Sequence, residues 1–270
     1  MTVMPAGQYI PGNSVIHRLD AGVKIASLIL LLAAVIISST WYGYLVALAV
    51  LAVVVKLSRV RLKTTLGAIS SLKLFFIIIF VMNALFYSSE QPLLSWGIIS
   101  LSHEGIKQGV KVIFNIVYIM ILANVLTSTT APMDMTTGLS SILKPLKLLR
   151  IPIEDVAMII SIAIRFIPNL LEDVVMIKKA QTARGARFES KSLRERASSY
   201  LPLLIPVFLS AFRRADELSV AMEARGYRNA RDRTRKAKEP LKVFDFAALL
   251  CSIIICLTQI YFRFYTITGG

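Results

Sequence analysis

Apolar residues along this chain fall into blocks separated by short polar stretches. From Ile25 to Val55, 31 residues pass without one charged side chain. A bilayer span takes about 20 residues, so this run is too long for a single helix. The segment Thr40-Trp41-Tyr42-Gly43-Tyr44 divides it into two short spans. Continuing along the chain, the pattern predicts principal spans near 24–39, 42–56, 73–89, 109–127 and 243–262, with further apolar helices at 153–171 and 198–212. The expected fold is all-α: a polytopic membrane protein with about five to eight membrane helices. Three regions follow. Residues 1–132 form an amino-terminal membrane domain of four spans, 133–242 a module of long amphipathic helices on the cytoplasmic side, and 243–270 a carboxy-terminal membrane helix.

The middle region is too apolar for a loose loop. Val156, Ile159, Ile160, Ala163, Ile164, Ile167, Leu170, Leu171 and Val174 recur at helical spacing across 153–182. Arg165 and Pro168 interrupt that helix, and a kink or break is expected near 168. Residues 207–224 repeat the pattern, with Phe208, Ala211, Phe212, Ala215, Leu218 and Met222 on one stripe. Arg213 and Glu217 are spaced for an i,i+4 ion pair.

Composition and charge then narrow the class. Hydrophobic residues make up 56% and charged residues 17% of the 270, while the formal charge is +15. A typical soluble domain is about a quarter charged, so an ordinary soluble enzyme is excluded. Between Lys178 and Lys242 stand 17 Lys and Arg against 7 Asp and Glu, two thirds of the whole excess. That segment carries no zinc-finger or RNA-binding fingerprint, and positive-inside sorting accounts for it. Segment 56–63 holds four positive charges, and 144–150 is also basic, so both fall inside; the loop from Ser88 to Ile106 has no Lys or Arg, only Glu90 and Glu104, and falls outside. The amino terminus is thereby cytoplasmic, the carboxyl terminus outside, and the chain sits in the cell membrane. No cleavable signal peptide is expected, because the first residues are polar and rich in Pro and Gly. Cys251 and Cys256, five apart in one apolar helix, form no disulfide framework.

One motif occurs twice. Ala180-Gln181-Thr182-Ala183-Arg184-Gly185-Ala186-Arg187 and Ala221-Met222-Glu223-Ala224-Arg225-Gly226-Tyr227-Arg228 both read A-x-x-A-R-G-x-R, 41 residues apart, each closing an amphipathic helix. Alanine favours the last turn and lets a partner approach closely. Glycine suits the left-handed position that stops a helix. The arginine between them complements the negative end of the helix dipole and presents a bidentate guanidinium. A single copy reads as an ordinary helix end; a duplicated one suggests a duplicated partner site, such as two similar subunits.

The paired Ala-Arg-Gly triplets at 183–185 and 224–226 resemble the signature of the transmembrane T component of energy-coupling factor (ECF) transporters. The segments Gly12–Asp20, Thr129–Asp134, Arg165–Pro168 and Ala180-Gln181 are similar to that family too, and the resemblance runs from about residue 10 to 262. It implies a scaffold that joins two ABC-type ATPases to a small membrane-embedded substrate-binding S component in the lipid bilayer, for uptake of a vitamin or metal ion. It also implies that Ala183, Arg184 and Gly185 dock one ATPase and Ala224, Arg225 and Gly226 the other. The apolar stripes, with Ile160, Ile164, Ile167, Leu171, Phe208 and Phe212, would contact the S component.

Other classes fit the residues less well. A membrane-embedded enzyme needs ionisable clusters at membrane depth, yet the two histidines, His17 and His103, lie in predicted loops on opposite sides. No metal-ligand spacing and no G-x-x-x-x-G-K-[ST] loop occur, so no catalytic residue, metal ligand or cofactor is assigned, and ATP hydrolysis is expected in partner subunits. Asp20, Asp134, Glu154 and Asp155 read as helix-start residues. A secondary transporter would show midplane charges, where these spans offer only Asn83, Asn115 and Asn124. A conventional ABC permease subunit would need one coupling segment, not two.

Overall fold

The computed structural model describes residues 9–60, 63–87, 94–96, 99–143, 153–186, 188–190, 192–227 and 242–268. The basic stretch 144–150, Glu90, Arg187, Arg228 and residues 229–241 lie outside them. Helices α1 (Ala21–Ile37), α2 (Trp41–Ser58), α3 (Lys63–Ser71) and α4 (Lys73–Phe86) come first. A short antiparallel hairpin follows, β1 (Leu94–Trp96) and β2 (Ile99–Leu101), within the stretch read from sequence as a plain loop. Then come α5 (His103–Thr129), α6 (Pro132–Ile142), α7 (Ile153–Ala183), α8 (Leu193–Ala224) and α9 (Val243–Thr268). Among the described residues the fold is all-α apart from that hairpin. It divides into two compact units, Met1–Ile142 with Pro240–Gly270, and Leu143–Glu239.

In the first unit α1 is the hub, packed against α9, α6, α5 and α2. Asp20 starts it: its Oδ1 accepts the Gly22 N–H at 2.8 Å, so this carboxylate is a cap. Helices α1 and α9 run parallel. The Asp20 N–H donates to Asp245 Oδ1 at 2.8 Å and Ser252 Oγ meets Ser27 Oγ at 3.4 Å, both pairs 225 residues apart. Helix α5 runs the other way, because its end returns to the start of α1. There the Thr129 carbonyl accepts from Lys24 Nζ at 3.0 Å and the Ser128 carbonyl from the Ile10 N–H at 3.0 Å. Between these helices Leu31, Val35, Ala47, Leu51, Tyr118 and Leu122 form the apolar core.

By length and composition, α2, α5 and α9 can cross a bilayer. Few of their residues are buried within this chain, which leaves apolar surface for lipid or protein neighbours. The expected span at 73–89 is the second half of a pair, α3 and α4, bent by 58°. The expected span at 24–39 is α1, whose 17 residues extend about 26 Å. At the far end of α1, buried Gln259 donates to the Gly43 carbonyl at 2.8 Å. Around that level stand exposed Trp41, Tyr42, Tyr261 and Tyr265, aromatics of the kind that settle at a membrane interface.

The second unit is the helix pair α7 and α8. The apolar stretches 153–171 and 198–212 are parts of these helices of 31 and 32 residues, and neither helix carries an uninterrupted apolar run long enough to cross a bilayer. The expected break at Pro168 does not form: α7 continues through it, as α8 continues through Pro202 and Pro206. A proline inside a helix costs about 3 kcal/mol; with several bonded turns on either side, continuing the helix costs less than ending it. The Arg213–Glu217 pair is also absent among the described residues; both side chains are exposed, and Arg214 makes the ion pair instead.

The α1–α6 contact generates a stability prediction. A Cβ on Gly138 would sit 2.7 Å from the backbone of Ala21 and Gly22, whereas one on Gly67 would meet nothing within 4 Å. Gly138→Ala should destabilise the chain by about 1–3 kcal/mol, while Gly67→Ala, inside a helix, should be neutral or stabilising by about 0.5–1 kcal/mol. Thermal unfolding of the purified variants in detergent should show that order.

Candidate functional site

The two Ala-Arg-Gly triplets end α7 and α8 with the same local geometry. Ala183 and Ala224 are the last helical residues. Gly185 has φ +91° and Gly226 φ +71°, the left-handed conformation that glycine enters without steric cost. In α7 the Gly185 N–H returns to the Thr182 carbonyl at 3.0 Å and the Ala186 N–H to Gln181 at 3.0 Å. In α8 the Gly226 N–H returns to Glu223 at 2.8 Å and the Tyr227 N–H to Met222 at 2.9 Å. Both sets are Schellman caps, a 6→1 bond enclosing a 5→2 bond. Arg184 and Arg225 occupy equivalent C-cap positions, and both are exposed. Since a Cβ on either glycine would meet nothing within 4 Å, backbone conformation and not crowding requires glycine there.

The two helices cross through one polar contact. Asp173 receives Arg214 Nη2 at 2.8 Å on Oδ2 and 3.0 Å on Oδ1, and the Ser210 hydroxyl donates to Oδ2 at 3.0 Å. Nearer the end of α7, Gln181 Nε2 donates to the Pro202 carbonyl at 3.3 Å. As α7 advances from 173 to 181, its partner on α8 falls back from 210–214 to 202, so the helices are antiparallel. Asp173 and Arg214 are 41 residues apart, the offset that separates Arg184 from Arg225. The ion pair therefore joins residues at the same distance before the two caps. Each arginine cap lies eleven residues beyond that contact, in opposite directions, about 16 Å along its helix.

The crossing face is partly polar, and large apolar side chains point away from it. Ile160, Ile167, Leu171, Phe208 and Phe212 are exposed and Ile164 half-buried. Leu201, Leu204, Ile205 and Leu209 widen the exposed apolar surface of α8 beyond the stripe read from sequence. Leu218 and Met222, placed on one stripe with Phe208 and Phe212, are instead half-buried. Past the first cap the chain folds back: Phe188 is buried, 5.5 Å from the Tyr200 ring and 5.6 Å from Lys178 Nζ.

Sequence reasoning missed two groupings. Asp173 follows another acidic residue, Glu172, in an apolar stretch, and nothing local marks it as the partner of Arg214. The other lies in the first unit, at the start of α1. Lys24 is buried, its Nζ donating to the His17 and Thr129 carbonyls at 3.2 and 3.0 Å, with Asp20, Asp134 and Asp245 around it. Nearby, the Gly12–Asp20 segment is a built turn. His17 Nε2 faces the Ile10 carbonyl at 3.0 Å, so it carries the proton, and Nδ1 accepts from the Ser14 hydroxyl at 2.6 Å. A Cβ on Gly12 would come within 2.9 Å of that ring. Among the described residues, no group of His, Cys, Asp and Glu could hold a metal ion.

Residues 12–236 match the family described as CbiQ, "Cobalt transport protein". Several relatives bear the name "Energy-coupling factor transporter transmembrane protein EcfT". That of Ruminiclostridium cellulolyticum is 39% identical over 241 residues, 88% of this chain and 89% of the relative. That of Thermosediminibacter oceani is 37% identical over 264 residues, 98% and 99% of the two chains. In Bacillus subtilis the relative is 33% identical over 263 residues, 97% and 99%. The chain belongs to the CbiQ family, a multi-pass membrane transport protein akin to the EcfT transmembrane proteins.

The caps yield a local prediction. Gly185→Ala and Gly226→Ala force a Cβ into the left-handed region at a cost of about 1–2 kcal/mol each, while asparagine, which tolerates that region, should cost less. Hydrogen exchange of the Ala186 and Tyr227 amides should accelerate in the alanine variants and less so in the asparagine ones.

Proposed function

We propose that this CbiQ-family chain is the scaffold subunit of an ECF-type importer, coupling ATP hydrolysis by two ABC-type ATPase subunits to reorientation of a small membrane-embedded S component. The cargo released inside is a vitamin or metal ion bound by that companion. One observation carries the reading: the antiparallel helices α7 and α8 end in identical arginine caps, each eleven residues beyond the Asp173–Arg214 contact that joins them. Two similar partners related by a twofold axis would each meet the same surface. Arg184 docks on one ATPase and Arg225 on the other, each guanidinium offered from a helix end to carboxylates or carbonyls. The small side chains of Ala183 and Ala224 leave room for that approach, and Gly185 and Gly226 turn the chain away. ATP hydrolysis belongs to the partners; this chain transmits force and catalyses nothing.

The mechanical part follows from stiffness. Two helices of 31 and 32 residues, pinned at their crossing, move as levers where a loop would absorb displacement. Their outward apolar surface is too large to leave in water. Ile160, Ile164, Ile167, Leu171, Phe208 and Phe212 would meet the S component, with bilayer covering the remainder. Orientation follows from charge: the end of α2, with Lys56 and the basic residues to 63, lies at the amino-terminal, cytoplasmic face. With α9 parallel to α1, a cytoplasmic amino terminus supports the reading of an outside carboxyl terminus.

Gentle-detergent purification of the tagged chain from its native cell tests this reading, with bound proteins identified and counted. Two ABC ATPases with one or more small membrane proteins are expected; a chain recovered without any ATPase would refute it. Arg184→Ala and Arg225→Ala should each weaken ATPase association by about 2–5 kcal/mol where the guanidinium is desolvated, and the double variant should lose transport. Unchanged assembly and transport in both singles and the double would remove the arginines from the interface.

A further inference from the structure

The chain leaves the first unit after α6 and re-enters it before α9. Both of those elements are fastened to the first turn of α1. Helix α6 packs there so closely that a Cβ on Gly138 would lie 2.7 Å from Ala21 and Gly22 backbone atoms. Helix α9 is held by Asp245, which is 3% exposed. Its Oδ2 accepts the N–H of Lys242, at the start of its own helix, and its Oδ1 accepts the N–H of Asp20, the cap of α1, each at 2.8 Å. Lys24, one turn into α1, ties the same turn to the His17 and Thr129 carbonyls, and so to the end of α5. Both covalent connections to α7 and α8 thus start from one clamped point.

We propose that Asp245 and Lys24 are positioning residues for transport, forming a fixed joint that holds α9 and the corner between α5 and α6 against α1 while the α7–α8 pair moves. This rests on the transporter reading above. A lever transmits displacement only if its attachment does not yield, and here Asp245 fixes α9, and Lys24 the end of α5 from which α6 continues, to the same turn of α1. A carboxylate suits the task because it is acceptor-only: two N–H groups of two different helices need two acceptor oxygens in one side chain. Asparagine keeps the shape but offers one oxygen and an NH2, so one of the two N–H groups then faces a donor.

Asp245→Asn is therefore expected to leave assembly with ATPases intact while substrate taken up per ATP hydrolysed falls roughly tenfold, measured on the complex in proteoliposomes. That ratio, read on fully assembled complexes, is the readout that a merely structural role would not move, and rescue tests whether the α1–α9 joint is what sets it. With Cys251 and Cys256 replaced by alanine, Ser27→Cys and Ser252→Cys place two thiols where the hydroxyl oxygens are 3.4 Å apart. Oxidation of that pair should restore the transport-to-hydrolysis ratio of Asp245→Asn, and reduction should abolish it again. An unchanged ratio in Asp245→Asn, or an uncoupled variant that the disulfide does not restore, would overturn the joint.

The same cysteine pair in a chain retaining Asp245 decides the matter if Asp245→Asn does not fold. A joint that stays closed throughout the cycle predicts full transport when α1 and α9 are cross-linked. Loss of transport on oxidation, regained on reduction, would show that the helices separate during the cycle, and the proposal would fall. A chain that binds no ATPase at all fails at purification, which refutes the scaffold reading and is distinguishable from either result.

Discussion

The membrane unit depends on one buried carboxylate. Asp245 collects the N–H groups that begin α9 and cap α1, and so sets two helices side by side, parallel and in register. Taking a carboxylate out of water costs several kcal/mol unless it is fully hydrogen-bonded. That cost makes the arrangement specific: a shift of one helix along the other would strip Asp245 of a donor. The register then brings Ser252 to Ser27 and carries Gln259 to the Gly43 carbonyl at the far end. Lys24, bonded to two carbonyls from different segments, extends the cluster to α5.

The second unit buries only part of its apolar surface: Leu203 and Phe188 are buried, but much of both stripes is not. In water, two amphipathic helices would bury their apolar stripes against each other. Here Asp173, Ser210 and Arg214 hold the crossing, while Leu171, Phe208 and Phe212 face outward. A polar crossing satisfies the helices internally and leaves the apolar surface for lipid or protein partners. The ion pair and the caps share an offset of 41 residues, so the contact sits equally far from both helix ends.

Much of this was readable in advance because bilayer and helix periodicities are strong local signals. The uncharged run from Ile25 to Val55 requires two helices whatever surrounds it. Glycine after alanine-arginine marks a helix end through the sterics of a single residue, and both ends fall where the sequence placed them. Reading failed where the outcome depends on competing turns or distant partners. Pro168 signals a kink or break, and the break does not form: α7 runs on because its bonded flanks outweigh one lost hydrogen bond. Arg213 is spaced for Glu217, yet its neighbour Arg214 takes the ion pair, because Asp173 comes within reach only when α7 and α8 cross.

The sequence by itself determined the all-α membrane class, the basic face, the long amphipathic helices and the paired caps, because each rests on hydropathy, charge or backbone sterics within a few consecutive residues. Tertiary structure alone decided that Asp173 meets Arg214, that Asp245 joins α9 to α1 across 225 residues, and that Phe208 and Phe212 point outward while Met222 does not. Those outcomes turn on which buried donors find acceptors once the helices pack, and pairings between distant segments leave no periodic trace in the chain.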